Sequence, residues 1–282
     1  MLAFLSHLRG AYGVRRFVLV GHSTGCQDIL KLFELAGQHA AGAADTTVAC
    51  SARVVDPRLF AVVPAIEAVV LHAPISDTDG FGVAKDASGE CTPDTHARPL
   101  AERRSAAAGS SALADGSSST PRLSLGEAVA VAEQYVADGM PEAVLGTFRL
   151  YGCPITARRL VSLTQHRTDD DFFSLGLPEE YLRARLAHVP GIPVLLLCCL
   201  DDEYVPRGSG CEYVVAAGRQ LRDALLRCRP APHAPRVRLV FGHWRHNGGR
   251  CPGGAREGCE EACAVDDETV VPSILDFLKT VW

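Results

Sequence analysis

The feature that most constrains this chain is a short apolar run that passes through a serine turn into a helical pattern. Residues 17–37 read FVLVGHSTGCQDILKLFELAG. The run FVLV is apolar at every position, as in a parallel strand that is covered on both faces. Apolar residues then recur at helical spacing over 24–36, and Gly37 supplies a stop. The segment therefore predicts a strand, a tight turn and a helix in immediate succession.

Further apolar runs predict a sheet around this strand. Buried strands are predicted near 66–73, 193–200 and 236–241, with helical patterns over 2–12, 208–228 and 269–281. Alternating strands and helices are typical of a doubly wound, mostly parallel α/β sheet. We therefore expect an α/β fold.

Two segments interrupt that alternation. Residues 82–122 are rich in Ala, Ser and Gly, and we predict a disordered insertion there. Residues 123–190 look helical and open on a capping box, Ser124–Glu127. A helical insert between two sheet strands is a natural lid over a pocket. The predicted organisation is a core formed by 1–81 and 191–282, with the disordered insertion and the lid between its halves.

Size, charge and hydropathy narrow the classes of function. The 282 residues, 47% of them hydrophobic, suffice for one large α/β domain. A net charge of −5 without a long Lys/Arg block argues against nucleic-acid binding. The longest strongly apolar run, PVLLLCCL, falls far short of the roughly 20 residues that a membrane-spanning helix needs. The N-terminus has no signal-peptide pattern, so we expect a cytoplasmic protein without a membrane span.

The eleven cysteines raise the question of disulfides or a metal. We expect free thiols, because the count is odd, the chain is large and no export signal is visible. Cys198 and Cys199 lie inside an apolar run, where a thiol behaves as a small hydrophobe. The spacing of Cys251, Cys259 and Cys263 matches no standard zinc finger. We expect neither a metal nor another cofactor.

The serine turn itself is the first candidate for chemistry. Residues 21–25 fit Gly-x-Ser-x-Gly, in which a strained strand-to-helix turn makes the serine oxygen stand out from the sheet edge. We interpret Ser23 as a nucleophile and the amide of Thr24 as an oxyanion donor, supported by the helix dipole. The alternative is that Ser23 is a small residue in a tight turn, because the bare pattern also occurs by chance.

A serine nucleophile needs a base, and the base needs an orienting acid. In chains with this turn the order is Ser, then the acid, then His. Asp202, in the loop after the predicted third strand, is the favoured acid. Asp201 and Glu203 are not excluded by spacing, and Asp77, after the second strand, is a fallback.

The histidine should follow the last strand. The sequence VFGHWRHNGG offers His243 and His246. We favour His246, because it lies further into a glycine-rich loop that could bring it over the serine, and we keep His243 as the alternative. His22 and His72 are interpreted as packing or hydrogen-bonding residues.

An acidic run, TDDDFFSLGL at 168–177, lies inside the predicted lid. Three acids in a row could bind a metal or a basic substrate. Such a run is more often a solvated helix start or a cap, and we interpret it in that way.

Together these motifs resemble the α/β-hydrolase superfamily. More narrowly, the chain is similar to a branch of fungal, plant and protist proteins that includes the fungal siderophore esterases acting on fusarinine-type ester bonds. The resemblance implies Ser23 as the nucleophile and Asp202 as the acid, and it leaves the histidine open. The segments that carry it are GHSTGCQD at 21–28, APISD at 73–77, PITARRLVSL at 154–163, DDDFFS at 169–174 and DDEYVP at 201–206.

Such hydrolases place several strands before the nucleophile strand, whereas only residues 1–16 precede Phe17 here. The resemblance therefore implies an N-terminally truncated fold without the loop that gives the second oxyanion amide. An apolar sheet edge would be exposed and would favour self-association. Two functions follow: a serine esterase acting on a small-molecule acyl ester, or a catalytically impaired, hydrolase-like fragment that acts as a binding protein.

Overall fold

The computed structural model describes residues 1–41, 57–81, 83–85, 91–93, 123–150, 153–206, 209–231, 233–249 and 270–282. Its helices are α1 (Leu2–Tyr12), α2 (Thr24–Ala40), α3 (Asp77–Phe81), α4 (Leu125–Ala137), α5 (Ala157–Thr164), α6 (Glu179–Leu186), α7 (Gly210–Arg227) and α8 (Val270–Val281), with a 3₁₀ helix at Pro57–Ala65. Its strands are β1 (Phe17–His22), β2 (Ile66–His72), β3 (Val83–Lys85), β4 (Cys91–Pro93), β5 (Val144–Leu150), β6 (Cys153–Thr156), β7 (Pro193–Cys199) and β8 (Arg236–Gly242).

The chain forms two compact units. The first comprises Met1–Ile75, Leu175–Val205 and Ser209–Trp282, and the second comprises Ser76–Ser174 and Pro206–Gly208. Helix α6, which the sequence pattern assigns to the lid, lies in the first unit. The lid role of the second unit stays a prediction.

A parallel sheet forms the centre of the first unit. Within the described residues it has four strands in the order β1-β2-β7-β8, and all three neighbouring pairs are parallel. The predicted α/β class with a mostly parallel sheet is confirmed, and the architecture is compatible with an α/β-hydrolase-like fold. All four predicted sheet strands are present at the predicted places.

Strand β7 shows why a central strand of this sheet is apolar throughout. Successive side chains of a strand point to opposite faces. Leu195 and Leu197 pack in one cluster with Phe277 of α8, whereas Cys198 packs in another with Val214 of α7. Both faces are therefore buried beneath helices, and each fully buried leucine contributes about 1.5–3 kcal/mol.

Strand β1 is an edge strand of this sheet within the described residues. Val20, near its end, has 57% of its surface exposed. An apolar edge with unpaired backbone groups is a template for further strand pairing. The position of β1 agrees with the expectation that one edge of the sheet is exposed. Self-association through this edge stays a prediction.

The second unit corrects one expectation. Its helix α4 begins with the predicted capping box, in which Ser124 Oγ accepts from Glu127 N at 3.3 Å and Glu127 Oε2 accepts from Ser124 N at 2.7 Å. The prediction that 123–190 is helical is wrong for β5 and β6, which form an antiparallel pair. Leu145 and Phe148 are both buried although they lie three residues apart. A register shift and the positive φ of Gly146, at 49°, accompany this spacing, which imitates a helical pattern.

Several expectations concern segments that the structure describes only in part. The predicted disordered insertion at 82–122 lies outside the described residues apart from β3 and β4, which pair antiparallel. The tail cluster of Cys251, Cys259 and Cys263 also lies outside them. The expectation of free thiols is wrong for Cys211, which is disulfide-bonded. None of the helices in the described ranges is long and apolar enough to cross a membrane.

A buried ion pair joins α2 to α6 within the first unit. Arg185 donates from Nε and Nη2 to the two carboxylate oxygens of Glu34, at 3.2 and 2.9 Å. The two side chains are 9% and 10% exposed. Breaking a buried pair by removing one partner typically costs about 3–5 kcal/mol, because the other charge stays buried.

We therefore expect Arg185→Met to lower the free energy of unfolding by about 3 kcal/mol, the lower end of that range, because Lys31 Nζ stays 3.0 Å from Glu34 Oε2. The matched control is Arg238→Met, which removes the same side chain from an exposed pair with Asp276 and should leave the transition almost unchanged. Urea denaturation followed by circular dichroism compares the two variants. Equal midpoint shifts would show that the buried pair contributes no more than a surface pair.

Candidate active site

The turn between β1 and α2 holds Ser23 in a strained conformation. Its φ is 55° and its ψ is −125°, a region that costs non-glycine residues about 1–3 kcal/mol. The backbone is fixed on both sides, since Ser23 N donates to His72 O at 3.0 Å and Cys26 N donates to Ser23 O at 2.9 Å. The strand–turn–helix context that the sequence predicted around Ser23 is confirmed.

The two glycines of the motif play different parts. A Cβ on Gly21 would lie 2.6 Å from the backbone oxygen of Gly25, so only glycine allows β1 and α2 to approach this closely. A Cβ on Gly25 would meet nothing within 4 Å among the described residues. Close packing of the helix against the strand therefore requires the first glycine and not the second.

Thr24 is the first residue of α2. The first amides of a helix have no acceptor within the helix, and the helix dipole adds positive potential there. The Thr24 N–H therefore lies at the positive end of α2, and its role as an oxyanion donor stays a prediction.

An acid–imidazole pair forms where β7 and β8 end. The last residues of the two strands, Cys199 and Gly242, are paired in register, so the loops that follow them lie side by side. In these loops His246 Nδ1 lies 2.8 Å from Asp202 Oδ2. The residues are 9% and 7% exposed. A carboxylate can only accept, so Nδ1 carries a proton.

The loop after β7 also holds the backbone and the ring of His246. Glu203 Oε2 accepts a hydrogen bond from His246 N at 3.0 Å. The ring of Tyr204 lies 4.6 Å from the imidazole, between centroids, and Tyr204 N donates to Asp202 Oδ1 at 2.9 Å. Three successive residues thus contact one histidine or its acid. Spacing along the chain does not exclude Glu203 as an acid and indicates no role for Tyr204, although both belong to the DDEYVP segment.

Asp201 and His243 form a second acid–imidazole contact next to the first. Their Oδ2 and Nδ1 atoms lie 3.4 Å apart, with the side chains 3% and 22% exposed. Asp201 N also donates to the backbone oxygen of Trp244 at 3.2 Å. The structure therefore pairs Asp201 with His243 and Asp202 with His246, an arrangement that spacing along the chain leaves open.

His22 brings the imidazole of His246 next to the serine turn. The centroids of the two rings lie 4.7 Å apart, and Ser23 is the next residue in the chain. Ser23 Oγ forms no hydrogen bond within the described ranges. In enzymes without substrate, the hydrogen bond between nucleophile and base is often long and tightens in the complex. Asp77, the fallback acid, begins α3 in the second unit, and His246 is paired with Asp202 instead.

His72 and the nearby thiols are held in their uncharged forms. Burial and the neighbouring imidazoles of His22 and His246 lower the pKa of His72 to about 4. Its Nε2 lies 3.5 Å from Cys199 Sγ. Burial also raises the pKa of the Cys199 and Cys26 thiols, so neither is a ready thiolate nucleophile. In the described part of the chain, no group of three or more His, Cys, Asp or Glu side chains is placed to hold a metal ion.

The acidic run of the second unit caps its own loop. Asp171 is 4% exposed, and its carboxylate accepts hydrogen bonds from Arg167 N and Ser174 N at 2.8 and 3.3 Å. Ser174 Oγ in turn lies 2.7 Å from Ser76 Oγ. The run therefore acts as a structural cap, and it links two of the segments on which the family resemblance rests.

The parallel sheet, the serine turn and the acid–imidazole pair are features of an α/β-hydrolase-like protein. The family described as Protein of unknown function (DUF1749) matches residues 1–217 of the 282, and the chain belongs to this α/β-hydrolase-like family. The matched region includes Ser23 and Asp202, whereas His246 lies beyond it. No curated protein matches the sequence significantly.

Proposed function

We propose that this protein is a serine hydrolase that cleaves carboxylic esters through an acyl-enzyme on Ser23. The observation that carries the proposal is the buried 2.8 Å contact between Asp202 and His246, in the loop that approaches the strained serine turn. A strained turn alone could be structural, and an acid–imidazole pair alone could be a packing contact. Here both lie at the carboxyl ends of strands of one parallel sheet, which supports the arrangement that serine hydrolysis requires.

In the first half of the reaction, Ser23 Oγ attacks the ester carbonyl carbon while His246 Nε2 takes the hydroxyl proton. Asp202 keeps the proton of His246 on Nδ1 and stabilises the imidazolium that forms. The Thr24 N–H stabilises the oxyanion of the tetrahedral intermediate. When the intermediate collapses, His246 returns the proton to the leaving alkoxide, which departs as an alcohol.

In the second half, water attacks the acyl carbon and gives its proton to His246. The new tetrahedral intermediate collapses, the acid is released, and Ser23 Oγ regains its proton. The same groups thus serve both halves, and no redox step or external reductant is involved.

The proposed substrate is a small-molecule acyl ester. The resemblance to fungal siderophore esterases adds the finer proposal that fusarinine-type hydroxamate esters belong in the first substrate panel. Thioesters and peptides would use the same attacking and proton-transfer groups, so they serve as comparison substrates in that panel.

A fluorophosphonate probe tests the proposal directly, because it labels serines that are activated as nucleophiles. We expect the wild-type chain to be labelled and Ser23→Ala to show no labelling. The matched control is Ser209→Ala. Like Ser23, Ser209 directly precedes a helix and makes no side-chain capping hydrogen bond. This control should label like the wild type. Circular dichroism shows whether all three chains fold.

One observation favours a second candidate, a non-catalytic binding protein. In the described part of the chain Ser23 Oγ is not hydrogen-bonded to His246, as expected where the turn is retained without activity. A folded wild-type chain that resists labelling, and that hydrolyses p-nitrophenyl butyrate no faster than Ser23→Ala, would support this candidate and overturn the esterase proposal.

A further inference from the structure

His22 links the serine turn to the loop that carries His246. It is the last residue of β1, and its side chain is exposed. Its Nε2 nevertheless lies 2.8 Å from the backbone oxygen of His246, across 224 positions of the chain. A hydrogen bond over such a separation, made by the residue directly before Ser23, fixes two distant segments against one another.

This contact shows which ring nitrogen of His22 acts as the hydrogen-bond donor. A carbonyl oxygen can only accept, so the proton lies on Nε2 of His22. The ring packs between two other imidazoles, with centroids 4.9 Å from His72 and 4.7 Å from His246.

Three polar contacts hold His246 from three sides. Asp202 binds Nδ1, Glu203 binds the backbone N–H and His22 binds the backbone oxygen. The first two come from the loop after β7. Of the three, the contact of His22 is the one that comes from β1, the strand that leads into Ser23.

We propose that His22 is a positioning residue, whose Nε2–H holds the His246 carbonyl and thereby sets the distance between the imidazole and Ser23. The inference rests on the proposed function of Ser23 and His246. An error of about 1 Å in the placement of a catalytic group can cost roughly 10²-fold in rate. A contact that joins the strand of the nucleophile to the loop of the base acts on this distance.

Two substitutions separate the hydrogen bond from the ring. His22→Phe keeps an aromatic ring and removes the donor. His22→Gln removes the ring and keeps an amide N–H at the same number of bonds from the backbone. His7→Phe is the control, since His7 is also an exposed histidine and it lies on α1. His22→Ala removes the donor without adding bulk, in case the phenylalanine ring disturbs the fold.

The first readout does not depend on catalysis. The proton on Nδ1 of His246 is shared with a buried carboxylate, so it should give a low-field ¹H resonance, assigned by its loss in His246→Gln. We expect His22→Phe to speed the exchange of this proton with water, and His22→Gln and His7→Phe to leave it near the wild-type rate. The second readout is fluorophosphonate labelling of Ser23, which His22→Phe should slow roughly tenfold to 10²-fold and His22→Gln should largely restore.

The outcomes are distinguishable from those of the proposed function. Unchanged exchange and labelling in His22→Phe and His22→Ala would overturn the positioning role. Equal losses in His22→Phe and His22→Gln would also overturn it, because they would show that ring packing, rather than the hydrogen bond, holds His246. If the wild type is not labelled and the Nδ1 resonance still responds as expected, the positioning role stands and the esterase proposal falls.

Discussion

Replacing His246 with glutamine should reduce kcat/KM for p-nitrophenyl butyrate by about 10⁴-fold to 10⁶-fold, because the base of a serine triad acts as a unit with its nucleophile. Glutamine keeps a polar side chain beside Asp202 but offers no basic lone pair to Ser23. The fluorophosphonate labelling rate should fall with the esterase rate, because both depend on removing the Ser23 proton.

The matched control for this prediction is His243→Gln. His243 lies three residues earlier and contacts its own carboxylate, Asp201, at 3.4 Å. The His243→Gln variant should therefore keep labelling and hydrolysis rates close to those of the wild type. The reverse result, a large loss in His243→Gln and none in His246→Gln, would make His243 the base and would show that the better-buried pair is structural.

The sheet was predictable because its two central strands, β2 and β7, are buried on both faces. Runs such as PVLLLCCL leave no polar position, and in a chain of this size they have to lie in the centre of a sheet between helices. The helix ends followed from local chemistry in the same way, as the Ser124 capping box shows. The prediction of helices was wrong for β5 and β6. Their irregular register buries Leu145 and Phe148, which lie three residues apart as in a helical pattern. Local periodicity cannot reveal a register that depends on the partner strand.

The sequence predicted which types of residue form the candidate site and in which order they follow along the chain. The sequence indicated the turn at Ser23, and the order of elements indicated an acid after one strand and a histidine after the next. The sequence favoured Asp202 and His246, which the structure pairs, but spacing alone did not exclude the neighbouring Asp201 and Glu203. The structure separates them through the register of β7 with β8, in which Cys199 faces Gly242.

The contacts that support His246 were not predictable from the sequence. Glu203 binds a backbone amide and His22 binds a backbone carbonyl, and backbone groups leave no signature in the residue pattern. The repeated polar residues of the DDEYVP segment were the available signal, because each of the first four has a contact at this site or beside it.

Asp202→Asn is the second substitution for which we expect a large effect. An asparagine amide that donates to Nδ1 of His246 would place the imidazole proton on Nε2, the nitrogen that must be free to accept from Ser23. We therefore expect kcat at neutral pH to fall by about 10⁴-fold while KM changes little, since Asp202 contacts His246 and has no part in binding the substrate in the proposed mechanism. Steady-state hydrolysis of p-nitrophenyl butyrate measures both constants.

Two comparisons show whether that loss acts through His246. Asp201→Asn makes the same change one residue earlier, beside His243, and should leave kcat near the wild-type value. The double variant Asp202→Asn/His246→Gln should be scarcely slower than His246→Gln alone, because an orienting acid has no effect once the base is absent. Losses that multiply in the double variant would mean that Asp202 acts independently of His246, for example by supporting the loop after β7.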